Sequence, residues 1–215
     1  MKKTIFIAEV AVFSALVFVA TIVIAIPSVS TSGYVNFGDV VIFVASAFLG
    51  PWGGLIAGGV GSMLADLMYS PVWMPVTLIV KGLEGLIAGV LFKVLSGLLK
   101  NKKVGLPVSI VVAFLVGAVE MIVGYYIGGA IILGISSGDW TVAFTSSALD
   151  IPGNCLQGGV SVLVGGAIAL LLSKIPYTKK IMDKNLVVFK RAQVEVDNEN
   201  ACAENADVDN IDLTE

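Results

Sequence analysis

Six stretches of apolar sequence, each divided from the next by a few polar or helix-breaking residues, constrain this chain more than any other feature. They run approximately over residues 5–26, 38–50, 52–69, 73–97, 107–134 and 142–173. A helix needs about 20 predominantly apolar residues to cross the hydrocarbon of a bilayer. Lipid offers no partner to a free backbone N–H or C=O, so a segment that crosses must satisfy itself as a helix or within a closed barrel. The second stretch is short, and Gly50-Pro51 is expected to make a tight turn into the third. Pro27, Pro51, Pro71, Pro75, Pro107 and Pro176 lie at or near the ends of stretches, where helices tolerate proline, and only Pro152 falls well inside one. With 57% hydrophobic and 13% charged residues, the chain is far greasier than soluble domains, which carry about half apolar and a quarter charged residues. The expected architecture is an all-α membrane protein of six transmembrane helices.

The basic residues orient it. Lys2 and Lys3 precede the first stretch, Lys93, Lys100, Lys102 and Lys103 mark the end of the fourth and the loop after it, and Lys174, Lys179, Lys180, Lys184, Lys190 and Arg191 follow the sixth. Six spans with both termini in the cytoplasm put all of these on one side, as the positive-inside rule requires. The loops then facing outward, 28–37, 68–73 and 135–141, contain no Lys or Arg. The net charge of −3 comes largely from eight acids crowded into the last 21 residues, with no basic residue after Arg191. The organisation expected is a six-helix transmembrane domain over 1–175 and a cytoplasmic tail over 176–215, acidic and without a packed fold from about 192. A cleaved signal peptide is the alternative for the first stretch, with Ser28-Val29-Ser30 as the small-residue site. Its apolar run is longer than the 7–15 residues of a typical signal core, and it contains Glu9.

Composition also removes chemistry. There is no histidine, which excludes His-ligated zinc, Ser-His-Asp triads and Cys-His dyads. Cys155 and Cys202 stand alone, with neither a disulfide framework nor metal-ligand spacing. No GxxxxGK[ST] loop is present to cradle a nucleotide, so the chain has no means of hydrolysing ATP by itself. No cofactor, metal or nucleic-acid partner is expected, and no enzymatic activity.

The remaining polar residues sit where lipid should forbid them. Lys81 lies roughly 13 Å into the fourth stretch at 1.5 Å per residue, and an ionisable group at that depth marks a functional site by default. Glu84, three residues on, shares its helix face and is the nearest partner. The bland alternative is that the two only neutralise each other and lock helices together. Glu120 and Asp66 lie deep in the fifth and third stretches, while Asn154 and Gln157 share a face of the sixth, where Pro152 loosens the helix. Asn36 and Asp39 stand where the first outer loop enters the second stretch, and Trp73 and Tyr69 lie at the outer mouth, where aromatic anchoring at the interface explains them equally well. Tyr125 falls in Gly124-Tyr-Tyr-Ile-Gly128, one of three GxxxG motifs with Gly54-Leu-Ile-Ala-Gly58 and Gly85-Leu-Ile-Ala-Gly89. All three suit close helix packing. Charges, amides and aromatic rings gathered toward one face of the membrane describe a small-molecule pocket open to the outside.

Five stretches carry a resemblance to a known family: Gly33-Tyr-Val-Asn-Phe-Gly-Asp39, Leu49-Gly-Pro-Trp-Gly-Gly54, Gly58-Gly-Val-Gly-Ser-Met-Leu-Ala-Asp66, Thr77-Leu-Ile-Val-Lys-Gly-Leu83 and Pro152-Gly-Asn-Cys-Leu-Gln157. In order and without large gaps over roughly 1–175, the chain resembles the substrate-binding S components of energy-coupling-factor (ECF) vitamin transporters, in the riboflavin-transporter-like group. The acidic tail is no part of that pattern. The resemblance implies a multi-pass protein of the bacterial plasma membrane that captures a vitamin from outside, then docks on a membrane T subunit driven by two ATPase subunits. It implies docking through a small-residue AxxxA motif on the first helix, matched here by Ala11 and Ala15, although such residues serve packing within the bundle as well. The substrate-binding set expected is Asn36, Asp39, Asp66, Trp73, Lys81, Glu84, Glu120, Tyr125, Asn154 and Gln157. One basic group beside a glutamate, among acids and amides, favours a neutral or weakly cationic heterocycle. Pyridoxine-like or hydroxymethylpyrimidine-like compounds then fit better than folate, and riboflavin stays open. Two other readings compete. One is a self-sufficient secondary transporter coupling protons through Asp39, Asp66 and Glu120; the other is an intramembrane aspartyl protease using Asp39 and Asp66, which lacks the glycine two before Gly38 that such enzymes show.

Overall fold

The computed structural model describes residues 3–27, 34–99, 102–176, 178 and 181–182. The predicted acidic tail, the 28–33 portion of the first loop, Lys2 and Lys100 lie outside the described residues.

Each apolar stretch becomes helix: α1 Lys3–Val23, α2 Gly38–Leu49, α3 Pro51–Tyr69, α4 Met74–Leu98 and α5 Lys102–Ser137, with the sixth divided into α6 Trp140–Ala148 and α7 Ile151–Leu172. Lys3–Val23, Val104–Ser137 and Trp140–Leu172 are long and apolar enough, by length and composition, to cross a membrane. Three features were not in the sequence expectation. The chain after α1 forms two short antiparallel strands, β1 Ala25–Pro27 and β2 Tyr34–Asn36, with Ile26 opposite Val35. α5 starts well before Pro107, which therefore lies inside the helix. The sixth stretch breaks at Leu149-Asp150, so Pro152 stands in the first turn of α7, where a missing N–H costs nothing.

The turns follow local chemistry. Gly50 takes φ +78° between α2 and α3, a conformation open to glycine at little cost, and Pro51 then starts α3. Gly138, at φ +73°, turns the chain from α5 to α6. The Asp139 carboxylate caps α6 by accepting from Thr141 N at 2.9 Å and Val142 N at 3.1 Å, which satisfies two of the amides a helix start leaves free.

α2 is the central element, buried everywhere except Val41. Its Phe43 stacks on Phe114 of α5 with ring centroids 4.7 Å apart. These rings join Phe48, Phe92, Ile110 and Val162 in the hydrophobic core between α2, α4, α5 and α7. α3 and α4 pack through their two matching glycine motifs. A Cβ on Gly54 would lie 2.5 Å from the carbonyl oxygen of Gly85, and one on Gly58 would lie 2.5 Å from that of Lys81. The backbones approach as closely as small-xxx-small packing allows. α1 lies at the periphery, burying only Val10, Val17 and Thr21, while Ile7, Val12 and Val23 are exposed.

Candidate functional site

At the hairpin end of the bundle the helices enclose a cavity of about 330 Å³. The hairpin forms one wall through Ile26, Pro27, Tyr34, Val35 and Asn36. Thr21, Ser62 and Asp66 contribute from α1 and α3, and Trp73, Thr77 and Tyr125 from the short 3-10 turn Pro71–Trp73, α4 and α5. The break in the sixth stretch supplies the opposite wall, with Leu149, Asp150, Asn154 and Gln157 among its members.

Hydrogen bonds hold these walls together. The Tyr34 hydroxyl donates to Asp66 Oδ1 at 2.5 Å, tying the hairpin to α3. Burial, with the Asp66 carboxylate beside it, pushes the Tyr34 hydroxyl above its ordinary range, so it remains a donor. Asp66 Oδ2 is buried and has no hydrogen-bond partner among the described residues. Thr77 Oγ1 and the Tyr125 hydroxyl lie 3.1 Å apart, and the Tyr125 ring tilts against Trp73 at 5.8 Å. On the other side, Asn36 N–H donates to Gln157 Oε1 at 2.8 Å and Gln157 Nε2 donates to Asp39 Oδ2 at 2.7 Å.

A fully buried charge layer lies beneath this cavity. Lys81 Nζ donates to Asp39 Oδ1 and, at 3.0 Å, to Glu84 Oε2, with all three residues 0% exposed. The same ammonium lies 5.3 Å from the centroid of the Tyr125 ring. Of the residues expected to meet a ligand, Asn36, Asp66, Trp73, Tyr125, Asn154 and Gln157 line the cavity. Lys81, Asp39, Glu84 and Glu120 do not. The first three pair with one another in the layer below, while Glu120 is half-buried with its Oε2 unpartnered among the described residues. Trp73 is 5% exposed and faces the cavity, not lipid. Tyr69 is 56% exposed, and its ring lies 5.7 Å from that of Tyr34. Ala11 and Ala15 are both exposed on α1.

Sequence reasoning missed the hydroxyl-bearing walls. Ser62 stands one turn before Asp66 and Thr77 one turn before Lys81, so each shares a face with a residue already singled out. That spacing was the available signal. Tyr34 was within reach as the residue two before Asn36 on a strand, had the segment been read as extended.

Comparison with known proteins places these features in a family. The model of the family described as "ECF-type riboflavin transporter, S component" matches residues 1–174. A protein of Pyrococcus woesei, described as an uncharacterized protein in gap 3'region, is 29% identical over 156 residues, covering 73% of this chain and 93% of its own. Among solved structures, ThiT from Listeria monocytogenes superposes with a TM-score of 0.60 at 21% identity, over 85% of this chain and 99% of that one. The S component of a bacterial ECF transporter gives 0.57 at 20% identity, over 80% and 97% of the two chains. The S component for biotin from an ECF-type ABC transporter gives 0.53 at 18%, over 78% and 92%. At these identities the three structures establish the fold.

Proposed function

The chain belongs to the family of ECF-type riboflavin transporter S components, and from that premise we propose that its cavity captures a flat, vitamin-type heterocycle for import. The observation that carries this reading is the make-up of the cavity wall. Tyr34, Trp73 and Tyr125 supply aromatic faces, and Asn36, Asn154, Gln157 and Thr77 supply amides and a hydroxyl. Asp66 Oδ2 has no hydrogen-bond partner among the described residues. A planar ring suits the aromatic walls, because offset-stacked and edge-to-face contacts with a second ring are worth about 0.5–1.5 kcal/mol beyond area burial. A buried carboxylate oxygen lacking a partner is costly, and a ring N–H or hydroxyl on the ligand relieves that cost.

No basic side chain lines the cavity among the described residues, since Lys81 is taken up by Asp39 and Glu84. That favours a neutral or weakly cationic ring. A pyridoxine-like or hydroxymethylpyrimidine-like compound is preferred, with riboflavin second. The distribution of Lys and Arg supports an orientation with both termini in the cytoplasm and the cavity facing out, in the plasma membrane. With no nucleotide-binding loop in the sequence, the energy for import comes from partners, namely a membrane T subunit and two ATPase subunits, with exposed Ala11 and Ala15 as the docking contact.

Mass spectrometry of ligand carried through purification, followed by calorimetry in detergent with pyridoxine, hydroxymethylpyrimidine and riboflavin, tests the reading. Binding of one of these at one site per chain is expected. The reading fails if none binds and no heterocycle copurifies. Uptake into proteoliposomes without T and ATPase subunits, abolished when a proton gradient is collapsed, would instead favour the secondary transporter.

A further inference from the structure

The buried charge layer touches no part of the cavity, yet two cavity-lining side chains end on it. Gln157 bonds to Asp39, and the Tyr125 ring lies beside Lys81 Nζ. The Gln157 contacts define a direction. Its amide meets the Asp39 carboxylate on one side and the Asn36 backbone N–H on the other. An amide's O and N ends cannot ordinarily be told apart without the surrounding network. Here the network decides, because a backbone N–H can only donate and an ionised carboxylate can only accept. Nε2 must therefore face Asp39 and Oε1 must face Asn36. Both Asp39 oxygens are occupied by donors, Lys81 on Oδ1 and Gln157 on Oδ2. The Lys81 ammonium on Oδ1 compensates the buried carboxylate that receives Gln157 on Oδ2.

We propose that Asp39, ion-paired to Lys81, is a positioning residue for the ligand site. It anchors the donor end of the Gln157 amide, and through Gln157 it seats the β-hairpin on α7. The chain Lys81–Asp39–Gln157–Asn36 joins α4, α2, α7 and β2 in series, and Asn36 Oδ1 closes it by accepting from Gly38 N at 2.8 Å. If the carboxylate is removed, Gln157 Nε2 loses its acceptor and the amide is held only at its oxygen, by the Asn36 N–H. The side chain is then free to leave its position, and the hairpin's contact with α7 weakens. Ligand would meet a less ordered amide at Gln157 and a looser wall at Asn36, although neither Asp39 nor Lys81 ever touches it.

The inference rests on the cavity being a ligand site, so its test has one arm that needs ligand and one that does not. Asp39→Asn alone leaves Lys81 with one partner fewer and can fail to fold. The double variant Lys81→Met/Asp39→Leu, made in a Glu84→Gln background, removes every charge of the layer and the acceptor at 39 at once, which buried ion pairs tolerate far better than the loss of one partner. In the first arm, affinity for pyridoxine and riboflavin is measured by calorimetry in a cycle with Gln157→Ala. Each change alone should weaken binding about tenfold, the scale of one hydrogen bond. On the Gln157→Ala background the double variant should add less than about twofold, because residues acting through one another are non-additive. Full additivity overturns the proposal, as does unchanged affinity in the double variant. In the second arm, hydrogen exchange of the peptide spanning 34–38 is followed without ligand. Exchange at Asn36 should accelerate in the double variant and in Gln157→Ala alike, while α5 is unchanged. Continued protection of Asn36 in the double variant overturns the proposal even where neither vitamin binds. Failure of wild type to bind either vitamin, with the exchange result as expected, strikes only the ligand reading.

Discussion

Replacing Lys81 by Met tests the energetics of the charge layer directly. Methionine keeps most of the apolar stem and deletes the ammonium. Asp39 and Glu84, both 0% exposed, then share a low-dielectric interior with no cation. Stripping one partner from a buried ion pair costs about 3–5 kcal/mol, because the survivor keeps its desolvation penalty and loses its compensation. The upper part of that range is expected here, since two carboxylates lose the same partner and Glu84 Oε1 already lacks one among the described residues. In a domain of this size each kcal/mol moves Tm by about 2–4 °C, so the midpoint should fall on the order of 10 °C or more. The assay is thermal unfolding in one detergent at one pH, read by tryptophan fluorescence. Neutralising the whole layer with Lys81→Met/Asp39→Asn/Glu84→Gln should recover most of the loss, because a neutral set of similar shape carries no charge to desolvate. A Lys81→Met protein that melts with wild type would refute the reasoning, as would a triple variant no more stable than the single one.

Four further outcomes follow from the same geometry. Tyr34→Phe removes the hydroxyl that donates to Asp66 Oδ1; affinity should fall roughly tenfold or more, as for a hydrogen bond to a charged group, and calorimetry with the copurified ligand would show it. Asn154→Ala changes a half-buried cavity wall residue, so binding should weaken while Tm stays within about 2 °C of wild type, given that partly exposed substitutions usually cost under 0.5 kcal/mol. A phosphate ester of the preferred ligand should bind at least about a hundredfold more weakly than its parent, because Asp66 and Asp150 line the cavity with no basic group beside them among the described residues and like charges juxtaposed cost several kcal/mol; equal affinity in competition titrations would contradict this. Ala11→Trp enlarges an exposed position on α1, which should block vitamin uptake in cells while leaving ligand affinity in detergent unchanged.

Apolar periodicity and length made the helices legible, since a residue facing lipid announces itself in composition. The β-hairpin did not, because its strands are three residues each and their pairing is a tertiary fact. The break in the sixth stretch had a visible signal in Pro152, but a proline that loosens a helix and one that starts a helix look alike until Leu149-Asp150 is seen between them. Asn36, Asp66, Tyr125, Asn154 and Gln157 were legible as polar or amphipathic groups out of place. Thr21, Ser62 and Thr77 were not, since hydroxyls in apolar helices can bond their own preceding turn and cost little there. Lys81 shows the limit most clearly. Its depth marked it as important and its neighbour Glu84 was found by spacing, but Asp39 lies 42 residues away in sequence, and that contact decides whether the ammonium meets ligand or is consumed below it.

The glycine motifs that read as mere packing set the distance over which this contact forms. Gly54 and Gly58 of α3 lie against the carbonyls of Gly85 and Lys81, and Ser46 of α2 donates to the same Gly85 carbonyl at 2.9 Å. α2, α3 and α4 therefore meet at small residues. Asp39 stands two turns before Ser46 on one face of α2, and Lys81 stands one turn before Gly85 on α4. A side chain of ordinary size at the junction would separate the helices, and the Lys81 ammonium, at the end of a four-carbon stem, would have to follow Asp39 outward. Close backbone approach through glycine thus precedes the ion pair, and the ion pair precedes the fixed amide of Gln157. The polar arrangement facing the cavity is built from below, from a helix contact that no ligand reaches.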